Sequence, residues 1–186
     1  MCMHCMPETR IWTRACEASA FVKDVEGLLI TAAQCYIPLR RVRPLIRISK
    51  LCTRKYSYYA YMICLGSKDA FTFAKTVIIF YSSRYLNTTL KTLVQQPRPY
   101  NEYPETIAYF DKCKHSLSFP SQSIQTLWII RHAFYISYDD IPMYISQIYF
   151  ILLLTIVSTT RMYRGLHYLH DIAGSILIAN ILCIFI

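Results

Sequence analysis

The chain predicts an all-α fold, a polytopic helical bundle held in a membrane, and three observations carry that prediction. Of its 186 residues, 54% are hydrophobic and only four are Gly, too apolar a balance for an ordinary soluble domain. The apolar residues come in long blocks, the cleanest approaching the ~20 residues that a helix needs to cross hydrocarbon. Polar and charged residues gather at the edges of those blocks, where a membrane domain keeps its interfacial chemistry. No internal repeat or low-complexity tract divides the chain.

Taken in order, the first candidate element covers residues 18–38, where Leu28, Leu29, Ile30, Ala32 and Ala33 are interrupted by Lys23, Asp24 and Glu26. It is read as an interfacial amphipathic helix rather than a first span. A basic run follows: Arg40, Arg41, Arg43, Arg47, Lys50, Arg54 and Lys55. The positive-inside rule places that run in the cytosol. Residues 1–55 therefore read as a cytosolic or interfacial segment and residues 56–186 as the membrane-embedded domain. Residues 56–66 and 70–85 are apolar on either side of Lys68-Asp69, as one interrupted span or as two short helices. Three further helices follow, over residues 124–138, 141–159 and 168–186. Residues 95–119 are rich in Pro, Tyr, Asn, Asp and Lys, so this connection lies outside the hydrocarbon, where its backbone finds hydrogen-bond partners.

Several function classes drop out. The net charge of +9 is placed beside apolar blocks, which points to lipid headgroups and orientation, not to nucleic acid. The eight Cys are scattered, and Cys64 and Cys183 sit in apolar stretches as small hydrophobes. Cys2-Met3-His4-Cys5 has no second pair of ligands at zinc spacing, so no metal is expected. The first dozen residues lack the apolar region of a cleavable signal. Asn87-Thr-Thr is a glycosylation sequon placed against an apolar segment and is read as unused.

Three polar clusters carry the chemistry. Lys91 ends an apolar segment, and Pro97 and Pro99 hold Arg98 in extended backbone. An ammonium and a guanidinium suit a phosphoryl group, although snorkelling cations at a helix end give the same pattern. Pro120-Ser121-Gln122-Ser123 leads into a helix, whose free N–H groups form an anion site. Ser123 taken alone reads as a helix cap. In the third cluster His167 and Asp171 are four apart, so on a helix they share a face and the carboxylate orients the imidazole. Gly165 lets the chain turn after Arg161; a helix running straight through would instead make Arg164 the nearer cation.

Together these clusters resemble the type 2 phosphatidic acid phosphatase superfamily, whose pattern is KxxxxxxRP, then PSxH, then SRxxxxxHxxxD. Lys91-Thr-Leu-Val-Gln-Gln-Pro-Arg98-Pro99 matches the first in full, and Thr160-Arg161 with His167 and Asp171 matches the third with Thr for Ser. In the second, Ser123 replaces the histidine. The resemblance covers roughly residue 87 onward and implies a helical bundle of the lipid phosphate phosphatase type, with its site opposite the cytosol in most members. It implies that His167 attacks phosphorus to give a phosphohistidine and that Asp171 steadies the ring. Lys91, Arg98, Ser121 and Arg161 would cradle the phosphate, with no cofactor or metal. The partners implied are a lipid phosphate and the bilayer, and the compartment the endoplasmic reticulum.

Within the superfamily, the run from Arg161 to Gly174 and Ala108-Tyr109-Phe110 look most like sphingosine-1-phosphate and long-chain-base phosphate phosphatases. Gln96-Pro-Arg-Pro and the register of Gln125 and Trp128 resemble dolichyl diphosphatase. The family's histidine at position 123 protonates the departing oxygen, worth about 10²- to 10⁴-fold. A serine is a poor acid, which favours a diphosphate with its better leaving group, a non-catalytic lipid-phosphate-binding relative, or a substitute acid. Candidates for that substitute are His115 first, then His132 and His170.

Overall fold

The apolar stretch that starts near residue 56 breaks at Lys68-Asp69 because Asp69 caps the helix that follows. Its carboxylate accepts from the Phe71 amide at 2.9 Å and from the Thr72 hydroxyl, meeting donors that a helix start leaves free. In a computed structural model of the chain, which describes residues 7–104, 117–137 and 143–185, this break is a helical hairpin. The two halves are therefore separate helices. The elements are α1 (Pro7–Tyr36), α2 (Leu39–Cys52), α3 (Lys55–Gly66), α4 (Ala70–Val94), α5 (Pro99–Glu102), α6 (Gln122–Ser137), α7 (Met143–Tyr163) and α8 (Leu169–Cys183). No strand occurs among the described residues.

Helix α3 folds back along α4, with the Tyr58 and Phe80 rings 6.4 Å apart and Gly66 facing Phe73. Helix α6 is the central rod, packing against α8, α4, α7 and α3. Its Ile124, Ile129 and Ile130 are fully buried, and one core cluster joins Ile124 and Leu127 to Tyr58, Phe150, Val157 and Ile172. Polar ties cross the same interfaces: Asn87 Nδ2 donates to Gln125 Oε1 at 2.9 Å, and Trp128 Nε1 to Asn180 Oδ1 at 2.7 Å. In a bilayer, such contacts and close packing hold helices together, because lipid tails are as apolar as the core.

The outer faces are apolar. Phe71, Ile78, Leu93, Ile148, Leu152, Leu177 and Ile181 are exposed, a sheath suited to hydrocarbon rather than water. Residues Tyr144–Tyr163 form a helix long and apolar enough to cross a membrane, about 30 Å for 20 residues.

The helix expected over residues 18–38 starts earlier: α1 runs for 30 residues, with Glu26 turned inward and buried. The basic run is a helix whose Val42, Ile46 and Ser49 are buried while Arg40, Arg41, Arg43, Arg47 and Lys50 stay exposed. Pro44 sits within it, removing one backbone donor.

Candidate functional site

Backbone chemistry at three helix ends gathers the polar clusters at one end of the bundle. Helix α4 stops at Gln95, whose left-handed conformation (φ 50°) turns the chain into the extended residues around Arg98. That extended segment is tied to the entry to α6, the Ser118 amide donating to the Gln96 carbonyl at 2.9 Å. Lys91 Nζ donates to the carbonyls of Leu117 at 2.9 Å and Ser118 at 3.4 Å, fastening the first cluster to the second.

The second cluster is docked on α8. The Ser121 amide donates to Ser175 Oγ at 2.6 Å, and that hydroxyl donates to the Asp171 carbonyl at 2.6 Å. Helix α8 comes close enough only because residue 174 is Gly: a Cβ there would lie 2.5 Å from Phe119 Cε2. Helix α6 begins at Gln122, so Ser123 lies inside its first turn and is not the cap that it resembles in isolation. Its hydroxyl instead accepts from Arg161 Nη2 at 2.7 Å.

The third cluster turns at Gly165 (φ 64°), a conformation open to Gly at no steric cost. The turn excludes the continuous helix that would have favoured Arg164, whose charge is felt instead by Lys50 of α2. It also corrects the expected helical pairing of His167 with Asp171, since His167 precedes Tyr168, the N-cap of α8. Asp171 Oδ2 accepts from the Tyr168 amide at 2.8 Å and stands 3.7 Å from His167 Nδ1, an electrostatic contact rather than a formed hydrogen bond. On the ring's other side, Nε2 lies 3.4 Å from Arg161 Nη1.

His167 is 2% exposed and Asp171 fully buried. Burial pushes the His167 imidazole down to about 4, against the pull of Asp171 and with the Arg161 and Arg98 charges adding to the fall. At neutral pH the ring is therefore neutral, and with Nδ1 protonated its Nε2 lone pair faces Arg161 Nη1. Among the described residues, the buried Ser121 Oγ, Arg161 Nε, His167 Nδ1 and Asp171 Oδ1 of this region complete no hydrogen bond. Such groups cost about 1–3 kcal/mol each, and their concentration here suits a place that binds something polar.

The substitute acids fare differently. His115 lies outside the described residues. His132 is far along α6 and contacts the Cys183 backbone at the opposite end of α8. His170 is near the site, but Glu26 of α1 holds its Nδ1 at 2.7 Å and Gln96 its Nε2 at 2.6 Å. Glu26, Tyr58 and Ser175 carry no motif, and only Ser175, one turn after Asp171, had a local signal.

Helix α2 lies at this same end. Val42 and Ile46 pack on Tyr163, and Thr53 just beyond shares a cavity with Ser123. The basic run cannot then be cytosolic while the site faces away from the cytosol. An apolar cavity of about 460 Å³ opens between α1, α2 and α7, lined by Ile30, Val42, Leu45, Thr160 and Tyr163 among others.

Residues 70–186 match the family model described as the PAP2 superfamily. The fold is similar to the crystal structure of a transmembrane PAP2 type phosphatidylglycerolphosphate phosphatase from Bacillus subtilis, with a TM-score of 0.71 and 18% identity over 88% of this chain and 83% of that one. Comparison with curated proteins gives no match.

Proposed function

The chain belongs to the PAP2 superfamily, and from that premise we propose that it is an integral-membrane lipid phosphate phosphatase working through a phosphohistidine on His167. The observation that carries the reading is Arg161, whose two terminal nitrogens lie 2.7 Å from Ser123 Oγ and 3.4 Å from His167 Nε2. A phosphoryl group held there meets a guanidinium fork, and its phosphorus stands before the neutral Nε2. That nitrogen attacks phosphorus, the bond to the lipid oxygen breaks, and Asp171 stabilises the imidazolium that forms. Water then cleaves the N–P bond. Lys91 and Arg98 neutralise oxygen charge, and the Ser121 region supplies donors, so positioning and electrostatics do most of the work. No metal takes part in this scheme.

The substrate we assign is a sphingoid-base phosphate, from the resemblance of residues 161–174, in the endoplasmic reticulum membrane. The apolar cavity beside Thr160 suits a hydrocarbon tail whose phosphate reaches Arg161. A second reading, a polyprenyl diphosphate, is favoured by Ser123, because a phosphate leaving group needs less protonation than an alkoxide. Purified protein in detergent, without added metal, is offered both lipids. Phosphate release from the sphingoid-base phosphate that disappears in His167→Ala supports the first reading, and release from the diphosphate alone supports the second. Binding of either without release means a non-catalytic relative.

A further inference from the structure

Ser123 stands where a proton donor is needed, and its oxygen already accepts from Arg161 at 2.7 Å. Its own proton is free to leave toward a substrate oxygen, but a serine that gives up a proton must regain one. Behind it stands Tyr58 of α3. The ring is packed into the core with Ile124 and Val157, and the residue is 9% exposed. Among the described residues the hydroxyl completes no hydrogen bond. Tyr58 and Ser123 also line one cavity of about 180 Å³, with Thr53, Arg84, Gln122 and Thr126 completing its wall. A Phe would fill the same core space without burying an unsatisfied hydroxyl, which costs about 1–3 kcal/mol. That cost, beside the site, makes the Tyr58 hydroxyl a candidate for a role in it.

Resting on the functional reading above, we infer that Tyr58 and Ser123 form a two-hydroxyl proton relay that replaces the missing histidine. As the bond between phosphorus and the lipid oxygen breaks, Ser123 Oγ–H gives its proton to the departing oxygen and takes the proton of Tyr58 Oη–H. The phenolate left behind faces the Arg161 guanidinium. When water attacks the phosphohistidine, the proton it sheds returns through Ser123 to Tyr58. The N–P bond breaks, neutral His167 is restored, and phosphate departs. Ser123 touches the leaving oxygen; Tyr58 acts through it and is a positioning residue for that proton.

The test uses the full chain in detergent, comparing an alkyl phosphate (a sphingoid-base phosphate) with 4-nitrophenyl phosphate, whose leaving group needs little protonation. Tyr58→Phe lowers kcat on the alkyl ester by about 10²-fold, the scale of general acid catalysis, and on the nitrophenyl ester by less than about threefold, the limit that leaving-group acidity sets on an acid's contribution. Ser123→Ala gives the same selective loss, so the inference does not depend on Tyr58→Phe folding well. The double variant loses no more than the worse single one, because both hydroxyls serve one transfer. Equal losses on the two esters, additive losses, or unchanged Tyr58→Phe turnover overturn the relay while leaving the phosphatase reading intact. A wild-type chain that releases no phosphate from either ester overturns that reading and the relay with it.

Discussion

His170 at the start of α8 and Glu26 of α1 are joined at 2.7 Å, Nδ1 to Oε2, with a second contact from the His170 amide to Oε1 at 3.2 Å. The pair pins the first helix to the residue beside Asp171. Charged hydrogen bonds of this kind contribute about 1.5–3 kcal/mol. Glu26→Ala is expected to lower the melting temperature in detergent and to loosen α1, read as faster proteolysis near residue 26. A variant that melts like wild type would mean that α1 is held by its apolar contacts alone.

Arg161→Lys tests whether the fork or only the charge matters. An ammonium cannot span Ser123 and His167 from two fixed nitrogens, so phosphate release is expected to fall by about 10²- to 10³-fold with the fold unchanged. Near wild-type rates would reduce Arg161 to a general cation.

The pH dependence follows from His167. Its folded value, pushed down to about 4 by burial, lies below the ordinary value of 6.5, so folding favours the neutral ring. Stability is then greatest above about pH 6.5 and is lost as pH falls through the window down to 4. As the proposed nucleophile, His167 stays neutral over the same range, so kcat/KM, corrected for titration of the substrate phosphate near ~6, is expected to hold its plateau down to about pH 4. Asp171→Asn removes the charge that opposes the fall and moves this acid limb lower still. An acid limb at 6 to 7 would show that the ring is solvated in the working enzyme.

Gly174→Ala places a methyl group 2.5 Å from Phe119 Cε2. Overpacking of this kind costs about 1–3 kcal/mol, and the strain falls on the Phe119-Pro120-Ser121 segment. The expectation is a lower melting temperature together with weaker phosphate release. A lower melting temperature with unchanged kcat and KM would mean that the segment does not place the phosphate.

What could be read from the chain was local. The apolar blocks gave α6, α7 and α8 within a few residues, and the three polar clusters were visible because each is a short run with fixed spacing. The fold class and superfamily followed from them. Tertiary partners were not visible: Glu26 meets His170 across 144 residues, and Tyr58, from a helix that looks like any aromatic span, lines one cavity with Ser123. The spacing of His167 and Asp171 drew attention for a helical reason, whereas a cap and a turn at Gly165 bring them together. Ser123 read as a cap because Ser-rich helix starts usually are; its Arg161 partner, 38 residues on, decides otherwise.

The placement of α2 fixes a question of sidedness. Its five exposed cations, Arg40, Arg41, Arg43, Arg47 and Lys50, stand at the end of the bundle where the three polar clusters meet, so the proposed function puts both in one leaflet. Anionic headgroups attracted by that helix gather at the mouth of the site, and substrate capture there weakens as salt screens the attraction. On that proposal the compartment bathed by the cationic helix is also the one into which freed phosphate escapes, so locating one locates the other.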